Sequence, residues 1–157
     1  MTPLRFSSTT LPLRLSLCLA GLALLACGGE EPTGTPRIVA EGAWARAMPA
    51  GANTAVYLTL ANEGDEEEVL VGGETPVAGA VEIHESRLEG DVMRMERVQE
   101  LALPGGNRVV LEPGGLHLML LGLDRALEAG DTLTLILHFG ASEPQTLLVP
   151  VRPPGGE

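Results

Sequence analysis

The sequence predicts an all-β domain, a sandwich or barrel of short strands. Three observations carry that expectation. Strand-like segments recur near 38–46, 54–61, 68–71, 80–86, 92–98, 108–111, 116–123, 132–139 and 145–151. Gly-, Pro- and Asn-containing turn signals separate them, among them Asn62-Glu-Gly64, Gly72-Gly73, Pro104-Gly-Gly106, Pro113-Gly-Gly115 and Gly130-Asp131. No long helical period interrupts the pattern, and many short strands with regular turns indicate a sandwich or barrel.

The strands before 80 are scaffold. Trp44 and Tyr57 sit on strand-like segments, where core positions are expected, and the run Asp65-Glu66-Glu67-Glu68 reads as a solvated acidic loop. Met48 precedes Pro49 in a turn, where a surface or packing role is the simpler reading.

Chemistry concentrates between His84 and Met119. Ten residues separate His84 from Met95, twenty-one separate Met95 from His117, and Leu118 alone separates His117 from Met119. In a strand over 115–123 alternate side chains share a face, so His117 and Met119 point the same way, about 6.5–7 Å apart along the strand. Leu116, Leu118 and Leu120 then supply the core face. His84 and Met95 flank the turn signal Glu89-Gly90-Asp91. A two-residue turn at Glu89-Gly90 sets His84 opposite Met95, Glu85 opposite Arg94 and Glu82 opposite Arg97, and such opposite-charge pairs contribute roughly 0.2–1 kcal/mol each. A turn centred on Gly90-Asp91 sets His84 opposite Arg97 instead.

These residue types select a metal. Thioether sulfur is soft and suits Cu(I), and imidazole suits Cu, Zn, Fe and Ni. Two thioethers with two imidazoles, without carboxylate or thiolate, favour copper over zinc. A blue-copper electron-transfer site requires a Cys ligand, and Cys27 is the sole cysteine beyond the leader. Met93 reads as packing filler and His138 as a structural histidine. Gly-x-Ser-x-Gly, phosphate-loop and His-Glu-x-x-His signatures are absent, which argues against an enzyme.

The full spacing, His84, Met95, His117 and Met119, resembles the hallmark of the periplasmic copper chaperone family called PCuAC. Flanking text is similar too, in AWARAMPAGANTAVYLTLANEG, EIHES, DVMRMERV, LEPGGLHLMLLGL and LEAGDTLTLILHF, from about Ile38 to Val151. Leu88 departs from the pattern, since many members carry a further Met there. The resemblance implies a cupredoxin-like Greek-key β-sandwich or barrel that binds Cu(I) through these four residues. It also implies delivery to an acceptor, such as the CuA domain of cytochrome c oxidase or a thioredoxin-like copper chaperone. An envelope copper buffer and a metal-free interaction module remain the alternatives.

The ends of the chain concern location. Arg5 and Arg14 precede an apolar run, Leu15 to Ala26, that falls short of the roughly 20 residues of a membrane span. It ends in Leu24-Leu25-Ala26-Cys27, which resembles a lipobox with lipid attached at Cys27. The expected division is a signal peptide over 1–26, lipidated Cys27 and a flexible tether over 27–36, the copper-binding domain over 37–151 and a disordered tail over 152–157. The protein is then an extracytoplasmic, membrane-anchored lipoprotein on the periplasmic face. No disulfide is available to it, because Cys18 leaves with the leader. Beyond residue 26 the chain holds eight arginines, no lysine and 21 acidic residues, a net charge of −13 with His neutral. That surface repels nucleic acid and anionic headgroups, so membrane association rests on acylation.

Overall fold

Alternating apolar and polar residues generate ten strands in the computed structural model, which describes residues 35–155. They are β1 (Ile38–Arg46), β2 (Thr54–Asn62), β3 (Glu68–Glu74), β4 (Ala78–Glu89), β5 (Val92–Val98), β6 (Leu101–Leu103), β7 (Arg108–Leu111), β8 (Leu116–Leu123), β9 (Thr132–Phe139) and β10 (Gln145–Arg152). No helix occurs among the described residues. The leader, Cys27 and most of the tether lie outside them.

Seven strands follow the order β4-β8-β2-β1-β10-β9-β3 and close through the β3–β4 pairing at Gly73 and Val81. The result is a cupredoxin-like barrel in which β1 and β10 run parallel and the other neighbours antiparallel. Closure removes the open edges of these seven strands, edges of the kind that invite aggregation. β5 extends from β4 as a hairpin, β6 lies against β3, and β7 pairs with β2.

The interior is mainly leucine. Leu118 and Leu120 of β8, Leu135 and Leu137 of β9, Leu60 of β2 and Leu70 of β3 are fully buried. Burying each such side chain contributes about 1.5–3 kcal/mol. The alternation expected for β8 is present: Leu118 and Leu120 face the core, while His117 and Met119 share the opposite face. Of the expected core aromatics, Tyr57 is buried and Trp44 half-buried. They stack together, centroids 4.6 Å apart, outside the main apolar cluster.

Three sequence expectations are corrected. Gly72-Gly73 is part of β3, not a turn. The register against β9 shifts between Leu70 and Gly72, Gly72 adopts a φ of 144°, and a Cβ on Gly73 would lie 2.7 Å from the Ile136 carbonyl oxygen. Both glycines serve a bulge and a close strand approach. Glu68 is not solvated: it is 2% exposed and its carboxylate accepts hydrogen bonds from the backbone N–H groups of Val69, Ala141 and Ser142 and from the Ser142 hydroxyl.

The third correction is the β4–β5 register. His84 lies opposite Arg97, Ser86 opposite Met95, Leu88 opposite Met93 and Glu89 opposite Val92. The turn is Gly90-Asp91, with φ of 64° at Gly90. A two-residue hairpin of type II′ needs Gly first, and a turn at Glu89-Gly90 would put Glu in that place. Glu85 therefore faces Glu96, and Arg87 faces Arg94. The ion pairs form along strands or diagonally, Arg87 to Glu85 at 2.6 Å and Arg97 to Glu82 at 2.9 Å. Exposed pairs of this kind contribute about 0–1 kcal/mol, too little to set a register against the turn.

Candidate metal centre

The site forms on the face of β8 that turns away from the leucine core. Antiparallel pairing of β4 with β8 sets His84 directly opposite His117 and Glu82 opposite Met119. The two imidazole centroids are 6.0 Å apart. On the other side of β8, Ala55 of β2 lies opposite Met119, and Tyr57 on the same face comes within 6.3 Å of the His117 ring.

Each histidine has one nitrogen committed and one left over. His117 Nδ1 donates to the Gly115 carbonyl at 3.0 Å, which leaves the Nε2 lone pair available. His84 Nε2 donates to the Glu82 carboxylate at 2.9 Å, and Arg97 holds the other oxygen of that carboxylate. His84 Nδ1 is buried and has no hydrogen-bond partner among the described residues. A buried polar atom without a partner is costly. An imidazole oriented through one nitrogen by a carboxylate or carbonyl, with the other free, is the usual arrangement of a metal-ligating histidine.

Burial holds the His117 pKa below its ordinary value; the Gly115 hydrogen bond opposes this, and the neighbouring His84 and Arg46 add to the lowering. The ring is therefore neutral at neutral pH, the state a ligand needs.

A cavity of about 310 Å³ opens on this face. His117 and Met119 of β8, Met93 and Met95 of β5 and Met48 after β1 line it, with Arg46, Tyr57, Ser86 and the Pro113-Gly114 turn. The four sequence-predicted residues are thus not placed alike. Met95, His117 and Met119 share the cavity. His84 adjoins it through His117 and turns its Nε2 to Glu82. His138 is elsewhere, its Nε2 3.8 Å from the Glu74 carboxylate.

Sequence reasoning undervalued Met93, whereas Met48, partly buried against the apolar core, has the packing role expected of it and lines the cavity besides. Met93 is 57% exposed, which excludes a packing role. Its spacing to Met95 matches that of His117 to Met119, and this was the available signal. Among the described residues no three His, Cys, Asp or Glu side chains cluster as a metal group, and the further soft donors lining the cavity are the thioethers of Met48, Met93, Met95 and Met119.

Comparison with known proteins agrees with this architecture. The chain is 30% identical over 139 residues to "Putative lipoprotein Lxx21020" of Leifsonia xyli subsp. xyli (strain CTCB07), covering 83% of each. Among solved structures it resembles the solution structure of CuI-DR1885 from Deinococcus radiodurans, with 30% identity and a TM-score of 0.62 over 76% of this chain and 80% of that one. The fold is also similar to the copper-bound PCuAC domain from PmoF2, at 23% identity and a TM-score of 0.65 over 76% of this chain and 99% of that domain. The profile of the family described as "Putative lipoprotein LpqE-like" matches residues 38–151, essentially the whole barrel. The chain belongs to this LpqE-like, or PCuAC, family.

Proposed function

We propose that the protein is a copper chaperone that carries Cu(I) as cargo on His84, Met95, His117 and Met119, and that it is not an enzyme. The observation that carries the reading is the direct pairing of His84 with His117 beside a cavity lined by thioethers. Neutral imidazole and thioether donors hold a soft monovalent ion without adding charge. Two related solved proteins are described as copper-bound or Cu(I)-bound. Glu82 and the Gly115 carbonyl orient the rings, which leaves one nitrogen lone pair on each.

Cu(I) loading would turn the His84 Nδ1 lone pair toward the ion and relieve its unpartnered state. Binding through side chains on strand faces lets an acceptor approach from the open side, where Met95 is 50% exposed. The acceptor fits a soft-metal protein of the same compartment, such as a CuA domain or a thioredoxin-like copper chaperone. Lipid on Cys27 would tether the domain to the extracytoplasmic face of a membrane, and the family and one relative carry lipoprotein descriptions. Residues 27–36 then act as the tether.

Anaerobic titration against a chromogenic Cu(I) chelator tests the reading. One equivalent should bind, with sulfur and nitrogen in the first coordination shell by X-ray absorption. Binding unchanged by His117→Ala would refute it. Transfer of Cu(I) to an apo acceptor domain separates a chaperone from a buffer, and loss of detergent partitioning in Cys27→Ser tests the anchor.

A further inference from the structure

The cavity holds more soft donors than the proposed site uses. Met93 and Met95 occupy the same face of β5, opposite Leu88 and Ser86 of β4, and both line the cavity. Residues two apart on a strand lie about 6.5–7 Å apart, within reach of two flexible thioethers that share or exchange one ion. Exposure distinguishes the two walls. Met93 is 57% and Met95 50% exposed at the rim, whereas His117 is 4% exposed and lies deep.

An exposed methionine gains little from packing, so burial does not account for Met93. Its neighbours Leu88 and Val92 are also exposed, at 68% and 60%. The hairpin end therefore presents an unburied apolar surface with a thioether on the cavity side. A flexible, polarisable thioether suits both contact with varied partners and weak soft-metal ligation.

We infer that Met93 is a third thioether ligand for Cu(I), at the rim, forming with Met95 a pair through which the ion enters and leaves. This deepens the proposed copper reading and rests on it. Release from a site built on histidine proceeds by replacing donors one at a time, and a rim thioether holds the ion while a deep donor lets go. No redox change is involved: the ion stays monovalent, and neutral donors replace neutral donors.

The test uses the domain carrying 13C-methyl-labelled methionine, titrated with Ag(I), a soft monovalent ion that does not cycle. The copper reading requires the Met95 and Met119 methyl signals to shift; if they stay still, that reading fails. The inference requires the Met93 signal to shift or broaden over the same additions. A Met93 signal that stays fixed while Met95 and Met119 saturate overturns the inference and leaves the copper reading intact. A second arm uses Met93→Leu, which preserves size at an exposed position. Equilibrium Cu(I) affinity should fall by about threefold, because one rim donor is lost, while release to excess chelator slows by about tenfold, the mark of a higher barrier to exchange. Release as fast as in the unaltered protein also overturns it.

Discussion

Two clusters of buried polar groups lie on this barrel, and they are satisfied to different degrees. Around the β2 end and the β9–β10 turn, every polar atom of the two central side chains is paired. Asn62 is 1% exposed. Its Nδ2 donates to the Glu66 and Leu103 carbonyls at 2.7 and 2.8 Å, and its Oδ1 accepts from the Gly64 and Arg37 amides. Glu68 collects three backbone amides and a hydroxyl. On the β4–β8 face and beside it at the end of β1, His84 Nδ1 and Arg46 Nε are buried without hydrogen-bond partners among the described residues, and Met93 and Met95 stand open to solvent. Complete satisfaction marks a cluster that holds the fold together. Incomplete satisfaction marks a cluster with capacity left for something outside the chain.

The comparison predicts that substitutions in the two clusters have opposite signatures. His117→Ala should have the largest effect. Removing groups that merely orient a ligand typically costs 10–100-fold in metal affinity, so loss of the imidazole should weaken Cu(I) binding by at least about 100-fold in chelator competition. The thermal midpoint of the apo protein should move little. If the midpoint collapses instead, the histidine is structural and the contrast is lost.

Asn62→Ala should do the reverse. It strands the buried Leu103 carbonyl and, less buried, the Glu66 carbonyl and two amides, for a cost of about 2–3 kcal/mol, read from denaturant unfolding, with Cu(I) affinity unchanged. Glu68→Gln should cost about 2 kcal/mol at pH 7, because charge-assisted hydrogen bonds are lost. Desolvation acts to raise the Glu68 pKa, but the bonds from Ser142, Val69 and Ala141 outweigh it and bring the pKa below its ordinary 4.5. A carboxyl lowered in the folded state stabilises fully above its unfolded pKa and loses that contribution as pH falls through the folded value. The stability gap between the unaltered protein and Glu68→Gln should therefore narrow in acid below about pH 4. A gap independent of pH would show that the carboxylate is not the stabilising species.

Glu82→Gln should have the smallest effect. A carboxamide still accepts a hydrogen bond from His84 Nε2 but, being uncharged, holds the ring less firmly, so Cu(I) affinity should fall by about tenfold, the low end for an orienting partner. No change at all would mean that the His84–Glu82 contact plays no part in binding.

Much of this contrast was visible in the chain before folding. The spacing of His84, Met95, His117 and Met119 singled out the face on which the cavity opens, and the alternation of His and Met with leucine along 116–120 assigned β8 its two sides. Met93 was misjudged because a methionine on a strand is usually buried; only the exposed hairpin shows that this one is not. Glu68 was misjudged because it ends an acidic run. Its neighbours Glu66 and Glu67 are exposed, and the amides that bury Glu68 come from residues 141 and 142, more than seventy positions away.

What the sequence determined by itself was periodic or local. Alternation gave the strands and the leucine core, because side chains of a strand alternate faces whatever the strand pairs with. Gly90 gave the hairpin its turn through its left-handed φ, a local rule that outweighs the charge pairs pointing to the other register. Tertiary structure decided which strands became neighbours. His84 and His117 meet because β8 joins the sheet beside β4 and not beside β7, its neighbour in the chain. That pairing is set by closing seven strands around one core, a sum over many contacts that no single segment encodes.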